Sequence, residues 1–253
     1  MDSKTILITG ASSGIGEAIA RKFAENGCRL ILNARNTDRL QSLKQELEAS
    51  CSAEVFLIPF DVRNFKAAEE AVNNLPQEFR DIDVLVNNAG LALGVDKEHE
   101  GCMADYETMI DTNIKALLKM TQLIVPGMIA RNRGHVINIG SIAGEKAYPG
   151  GSVYCATKAA VKALSDGLRM DLYDTPIRVT NLKPGLVETN FSVVRYHGDK
   201  ERAKQVYRQV KPLTGTDIAE VAFFVASAPE HVQISEVEIL ATHQASAQMV
   251  WRG

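Results

Sequence analysis

No stretch of this sequence approaches the roughly 20 consecutive apolar residues that a bilayer-spanning helix needs. The first apolar run, Thr5-Ile6-Leu7-Ile8-Thr9, is too short for the core of a signal peptide. Basic residues are not in excess: 28 Lys and Arg stand against 31 Asp and Glu, a formal net charge of −3. Without surplus positive charge there is little to neutralise a phosphate backbone, so neither nucleic acid nor membrane is an expected partner. Cysteine is scarce, and the four present, Cys28, Cys51, Cys102 and Cys155, form no C-x-x-C pair, which fits neither a disulfide framework nor a zinc site. Reduced thiols and a cytoplasmic location are expected. The five histidines, His99, His135, His197, His231 and His243, lack metal-ligand spacing, and no metal is expected. Linkers, repeats and low-complexity tracts are also missing. What remains is a chain of 253 residues, 45% hydrophobic and 23% charged, able to bury a sizeable core and expected to form one domain over 1–253.

Short Val/Ile/Leu-rich runs alternate with amphipathic stretches along the whole chain. The runs are Thr5–Thr9, Arg29–Ala34, Glu54–Phe60, Asp83–Val86, His135–Ile139, Arg178–Leu182 and Val237–Leu240, several of them apolar on successive residues, as strands covered on both faces must be. Helices are expected at Gly14–Asn26, Asp38–Glu48, Lys66–Leu75, Asp105–Met128, Val153–Tyr173 and Asp217–Ala226, with Gly27 stopping the first. The pattern predicts an α/β fold: a single doubly wound Rossmann-type domain with a seven-stranded parallel sheet and helices on both faces. Ligands then bind beyond the carboxyl ends of the strands. The segment Leu186–Lys211 breaks the alternation and is long for a connection, which suggests a substrate lid.

Directly after the first strand stands Thr9-Gly10-Ala11-Ser12-Ser13-Gly14-Ile15-Gly16, running into a helix. Glycines are needed where backbone turns tightly and lets a pyrophosphate approach the N–H groups of a helix start. A Gly-rich turn alone is weak evidence; its place after the first strand makes it a nucleotide-binding loop. Its G-x-x-x-G-x-G spacing resembles the short-chain dehydrogenase/reductase superfamily. So do Asn87-Asn88-Ala89-Gly90 after the fourth strand, Asn113 in the long helix, Ser141 after the fifth strand, Tyr154-Cys155-Ala156-Thr157-Lys158 opening the next helix, and Pro184-Gly185 after the sixth. The resemblance implies a cofactor site made of Gly10, Ser12, Ser13, Gly14, Ile15, Gly16, Ala34, Arg35, Asp61, Val62, Asn88, Ala89, Gly90, Tyr154, Lys158, Pro184, Gly185, Val187 and Thr189.

Tyr154 and Lys158, four apart, lie on one face of a helix, where an ammonium can act on a phenol. A free phenol has a pKa of about 10; a phenol tuned toward neutrality by Lys158 and an oxidised nicotinamide can exchange a proton with an alcohol or carbonyl oxygen. Taken alone, such a pair is commonly a solvated Tyr and Lys; with Ser141 and the glycine loop it reads as catalytic. Ser141, at the carboxyl end of a strand, can hydrogen-bond the substrate oxygen, although a Ser there is often only a turn residue. By the resemblance, Asn113 holds the water that relays protons through Lys158 to solvent.

After the second strand, an NAD enzyme places an acidic residue to accept from the ribose 2′-hydroxyl. Here Ala34 stands at that position and Arg35 follows, offering a guanidinium to a 2′-phosphate, so NADP(H) is the expected cofactor. Asp61 and Val62 are expected against adenine. Three stretches, Asn87–Gly94, Glu107–Asn113 and Gly185–Arg195, are similar to NADP-dependent 3-hydroxy acid dehydrogenases, which implies small-molecule substrates such as serine and allo-threonine and a homotetramer. A 3-hydroxy acid needs a cation for its carboxylate, and Arg195 in the suspected lid is the candidate, with Lys146 and Lys200 as rivals and an ion pair to Asp199 or Glu201 as its structural alternative. The competing functions are a reductase of another carbonyl compound, a non-catalytic NADP-sensing protein, or a methyltransferase, which would leave Tyr154 and Lys158 without purpose.

Overall fold

Every residue of β1 (Thr5–Thr9) is buried, with Ile6 and Ile8 packed into one apolar cluster and Leu7 into another. Such a strand has no wet face and belongs inside a sheet covered on both sides. The structure, a computed structural model that describes residues 3–253, contains that sheet. β1, β2 (Arg29–Asn33), β3 (Val55–Leu57), β4 (Ile82–Asn87), β5 (Gly134–Ile139), β6 (Ile177–Pro184) and β7 (Glu236–Ile239) lie in the order β3-β2-β1-β4-β5-β6-β7, every pair parallel.

The helices are α1 (Gly14–Ala24), α2 (Thr37–Cys51), α3 (Phe65–Asn73), α4 (Met103–Ile110), α5 (Ala116–Ala130), α6 (Ser152–Asp171), α7 (Phe191–Arg195), α8 (Lys200–Val206) and α9 (Gly215–Ser227). Phe23 of α1, Leu40 and Leu47 of α2 and Val225 of α9 pack with Ile6, Ile8 and Leu32. Ala68 of α3 and Met120, Ile124 and Met128 of α5 pack with Leu7, Ile31 and Val136. The sheet is therefore doubly wound, as the sequence pattern predicts. Its order reverses between β1 and β4, which opens a crevice beyond Thr9 and Asn87.

Three expectations change. β3 is shorter than Glu54–Phe60: it is an edge strand pairing only with β2, and Pro59, lacking an N–H, stands where the ladder would continue. The long helix expected over Asp105–Met128 runs from Met103 to Ala130 but passes through a π-helical turn at Asp111–Lys115; such turns interrupt the α-helical ladder and gather at functional sites. The segment 186–211 contains α7 and α8, and its base is closed by the Val187–Leu213 bridge and the Leu213 N–H bond to the Leu186 carbonyl at 2.9 Å.

His135 on β5 is 2% exposed, and its Nε2 hydrogen-bonds the Thr180 hydroxyl at 2.8 Å. Burial holds its pKa well below the usual 6.5, so the folded imidazole stays neutral. The unfolded chain takes up that proton as pH falls below its ordinary value, so this group favours folding above about pH 6.5 and loses that contribution below it. Urea unfolding at about pH 7.5 and 5.5 should show a drop of up to roughly 1 kcal/mol attributable to His135, absent in His135→Leu. Equal pH dependence in both proteins would refute the assignment.

Candidate active site

The loop after β1 needs glycine for two separate reasons. Gly10 and Gly14 have φ of +67° and +59°, conformations that strain any other residue. A Cβ on Gly16 would lie 2.4 Å from both the Gly10 carbonyl and Asn88 Nδ2. Ser13, the N-cap of α1, is extended and gives its side chain to no backbone N–H, so the first amides of the helix keep no side-chain partner and suit an anion. Asn88 ties the neighbouring β4 turn to this loop, donating from Nδ2 to the carbonyls of Thr9 at 2.9 Å and Gly10 at 3.1 Å, while Thr9 Oγ1 accepts from the amides of Asn88 and Ala89.

A cleft of about 770 Å³ opens above the crevice. Its wall includes Gly10, Ser12, Ser13, Gly14 and Ile15; Ala34, Arg35, Asp61 and Val62; Asn88, Ala89 and Gly90; Ser141, Tyr154 and Lys158; Pro184, Gly185, Val187 and Thr189; and Arg195. Gly16 and Asn113 are not in the wall. Gly16 is buried and lets α1 approach the loop, so it acts by packing. Asn113, 2% exposed in the π turn, spends its side chain on structure: Oδ1 accepts from the Leu91 amide at 2.9 Å, and Nδ2 donates to the Leu91 carbonyl at 2.8 Å and to Thr157 Oγ1 at 3.0 Å. The amide holds the 91 loop against α6 and has no donor left over for a water.

Ser141 caps a short 3₁₀ turn, its Oγ accepting from the Ala143 amide at 3.1 Å. Tyr154 is 8% exposed, and burial pushes its phenol above the ordinary range; the Ser141 hydroxyl and the Arg195 charge pull it back only partly. Lys158 does not supply the expected depression from the protein alone. Its Nζ donates to the Ile139 carbonyl at 2.7 Å and lies 6.0 Å from the Tyr154 ring centroid, and burial lowers its own pKa to about 8. Tyr154 is therefore a neutral acid in this state.

A proton-carrying phenol beside a serine and a lysine, at the mouth of a glycine loop that can seat a phosphate, is an arrangement for carbonyl–alcohol chemistry, and the comparisons with known proteins agree. Residues 4–200 match the family model described as short chain dehydrogenase. The chain belongs to the short-chain dehydrogenase family. It is 51% identical over 243 residues, 96% of each chain, to the NADP-dependent 3-hydroxy acid dehydrogenase YdfG of Salmonella typhi. It is 46% identical over 253 residues, covering 100% of this chain and 98% of the relative, to the NADP-dependent 3-hydroxy acid dehydrogenase of Schizosaccharomyces pombe. Among solved structures, the closed form of serine dehydrogenase complexed with NADP+ superposes with a TM-score of 0.93 at 46% identity, over 96% of this chain and 97% of that one.

This short-chain dehydrogenase also lines its cleft with residues that sequence reasoning passes over: Arg39, Arg63, Tyr148, Phe191, Tyr207 and Gln244. Arg63 sits two residues beyond Asp61 and could have been found from that spacing. Gln244 arrives from the C-terminal segment to accept from the Leu186 amide at 2.8 Å, and no local pattern announces it. Tyr207 closes on the Ser192 hydroxyl at 2.7 Å and donates to the Val187 carbonyl at 3.1 Å, tying the end of α8 to α7 and to the base of the segment.

Proposed function

We propose that the chain is an NADP-dependent 3-hydroxy acid dehydrogenase, one domain over 1–253 with 186–211 as its substrate lid. The observation that carries this reading is a cation beside the phenol that, among the described residues, has no carboxylate partner. The Arg195 guanidinium stands 6.0 Å from the Tyr154 ring centroid, and it donates to the Gly94 carbonyl, the Tyr148 hydroxyl and the Gly150 carbonyl at 3.3, 2.9 and 3.1 Å. None of these partners is charged. The alternative ion pairs do not form: Asp199 caps α8 and Glu201 pairs with Lys204. Of the rival cations, Lys146 and Lys200 are not among the residues of the wall. A partly buried cation without a carboxylate is suited to receive one from a substrate.

The other end of the cleft fits the cofactor. The Gly10–Gly16 loop has room for backbone to approach a pyrophosphate, and the corner formed by Ala34 and Arg35 offers a guanidinium and no adjacent acidic residue on β2. NADP(H), when bound, supplies or accepts the hydride. Ser141 Oγ and Tyr154 Oη hydrogen-bond the substrate oxygen, and in reduction the Tyr154 phenol gives it a proton and becomes phenolate; in oxidation the Tyr154 phenolate, favoured by the positive charges of Lys158 and Arg195, takes the proton back. The reading extends to a homotetramer in the cytoplasm; exposed Leu118, Ile129, Met170 and Tyr173, on and just beyond α5 and α6, support self-association.

The test compares kcat/KM for 3-hydroxybutyrate, serine and an uncharged secondary alcohol in wild type and Arg195→Met. Wild type should favour the acids, and the variant should lose roughly tenfold more on the acids than on the alcohol. Equal losses on all three would make Arg195 structural, and a wild type that prefers the alcohol would overturn the substrate class.

A further inference from the structure

At the adenosine end of the cleft one carboxylate faces two guanidiniums on very different terms. Asp61 is gripped by Arg63: Nη2 donates to Oδ2 at 2.6 Å, Nε lies 3.0 and 3.2 Å from the two oxygens, and the Arg63 amide donates to Oδ1 at 3.0 Å. Arg35 approaches the same Oδ2 only to 3.9 Å, a charge contact without a hydrogen bond. Its side chain is 68% exposed against 35% for Arg63. All three residues line the cleft, with Ala34 between the strand end and Arg35.

A carboxylate in this corner is the chemical opposite of what a 2′-phosphate needs. Left alone, Asp61 would repel the phosphate and draw the Arg35 guanidinium, already 3.9 Å away, to itself, since opposite charges at this distance attract. Arg63 prevents both by hydrogen-bonding both oxygens of Asp61. The hydrogen bonds from Arg63 also hold the Asp61 carboxyl below the usual range, so the pair persists as an ion pair.

We infer that Arg63 governs selectivity for 2′-phosphorylated adenosine without touching the phosphate: by saturating Asp61 it cancels the local negative charge and leaves Arg35 available to the ligand. Arg63 is thus a positioning residue, and the inference rests on the reading of this cleft as an NADP site.

The experiment titrates the full chain calorimetrically with adenosine 2′,5′-bisphosphate and with AMP, which differ only in the 2′-phosphate, in wild type, Arg63→Met, Asp61→Asn and the double variant. Arg63→Met should weaken the bisphosphate by roughly tenfold or more and AMP by less than about threefold. Arg63→Gln, which keeps a donor but no charge, should show the same selective loss. The double variant should recover bisphosphate affinity to within about threefold of wild type, because the carboxylate that Arg63 neutralised is gone. A double variant as weak as Arg63→Met would mean that Arg63 binds the phosphate directly, and equal loss of both ligands would make it structural; either result overturns the inference. A wild type with no preference for the bisphosphate would instead overturn the NADP reading itself.

Discussion

Tyr154→Phe should lower kcat by about 10³- to 10⁴-fold while the Kd for NADPH changes by less than about threefold. The ring packs against Phe191 with centroids 5.6 Å apart and is buried in the cluster with Ala143 and Cys155, so the substitution keeps the shape and removes only the hydroxyl. The neighbouring groups of the cleft wall are otherwise engaged: Ser141 is too weak an acid, Lys158 is turned toward the Ile139 carbonyl, the Tyr148 hydroxyl is held by Arg195, and the Tyr207 hydroxyl is bonded to Ser192 and the Val187 carbonyl. Burial holds the phenol in its neutral form, the form that gives the proton, so the loss should be plain in the reductive direction. Stopped-flow measurement of turnover beside fluorescence titration of NADPH separates the two quantities. Activity within tenfold of wild type would remove Tyr154 from the chemistry.

Ala34→Asp should shift the ratio of kcat/KM for NADPH over NADH by about a hundredfold toward NADH, equivalent to about 2.7 kcal/mol. Ala34 is 6% exposed at the cleft wall, directly before Arg35, so a carboxylate there has little water to screen it. It would repel a 2′-phosphate, accept from a 2′-hydroxyl, and compete for the Arg35 guanidinium. Steady-state kinetics with both cofactors measures the ratio; an unchanged value would mean that the 2′ corner lies elsewhere.

The parts of this protein legible in its sequence are those written in local periodicity. β1 reads as a strand buried on both faces because Ile6, Leu7 and Ile8 are apolar in succession, and Tyr154 and Lys158 read as neighbours because a helix brings fourth residues onto one face. Ser141 follows from the rule that ligands gather at strand ends. What escaped reading depends on tertiary contact. Asn113 carries no sign that its amide would be consumed by Leu91 and Thr157, which come from a loop and a helix distant in the chain. The π turn at Asp111–Lys115 has no proline or glycine to announce it. The shift of the Tyr154 phenol is a property of burial, and no spacing encodes how deeply a side chain is covered. Gln244 and Tyr207 reach the cleft from segments whose own patterns are those of ordinary loop and helix-end residues.

On the proposed function, a hydride passes between C3 of a small 3-hydroxy acid and NADP. The enzyme is incubated with equal concentrations of NADP+ and NAD+ and with 3-hydroxybutyrate deuterated at C3, and the reduced cofactors are weighed by mass spectrometry. Wild type should yield NADPH carrying the deuterium, at a rate reduced by about 10³-fold or more in Tyr154→Phe. Reduced cofactor without the label, or label transferred to NAD+ in preference to NADP+, would contradict it.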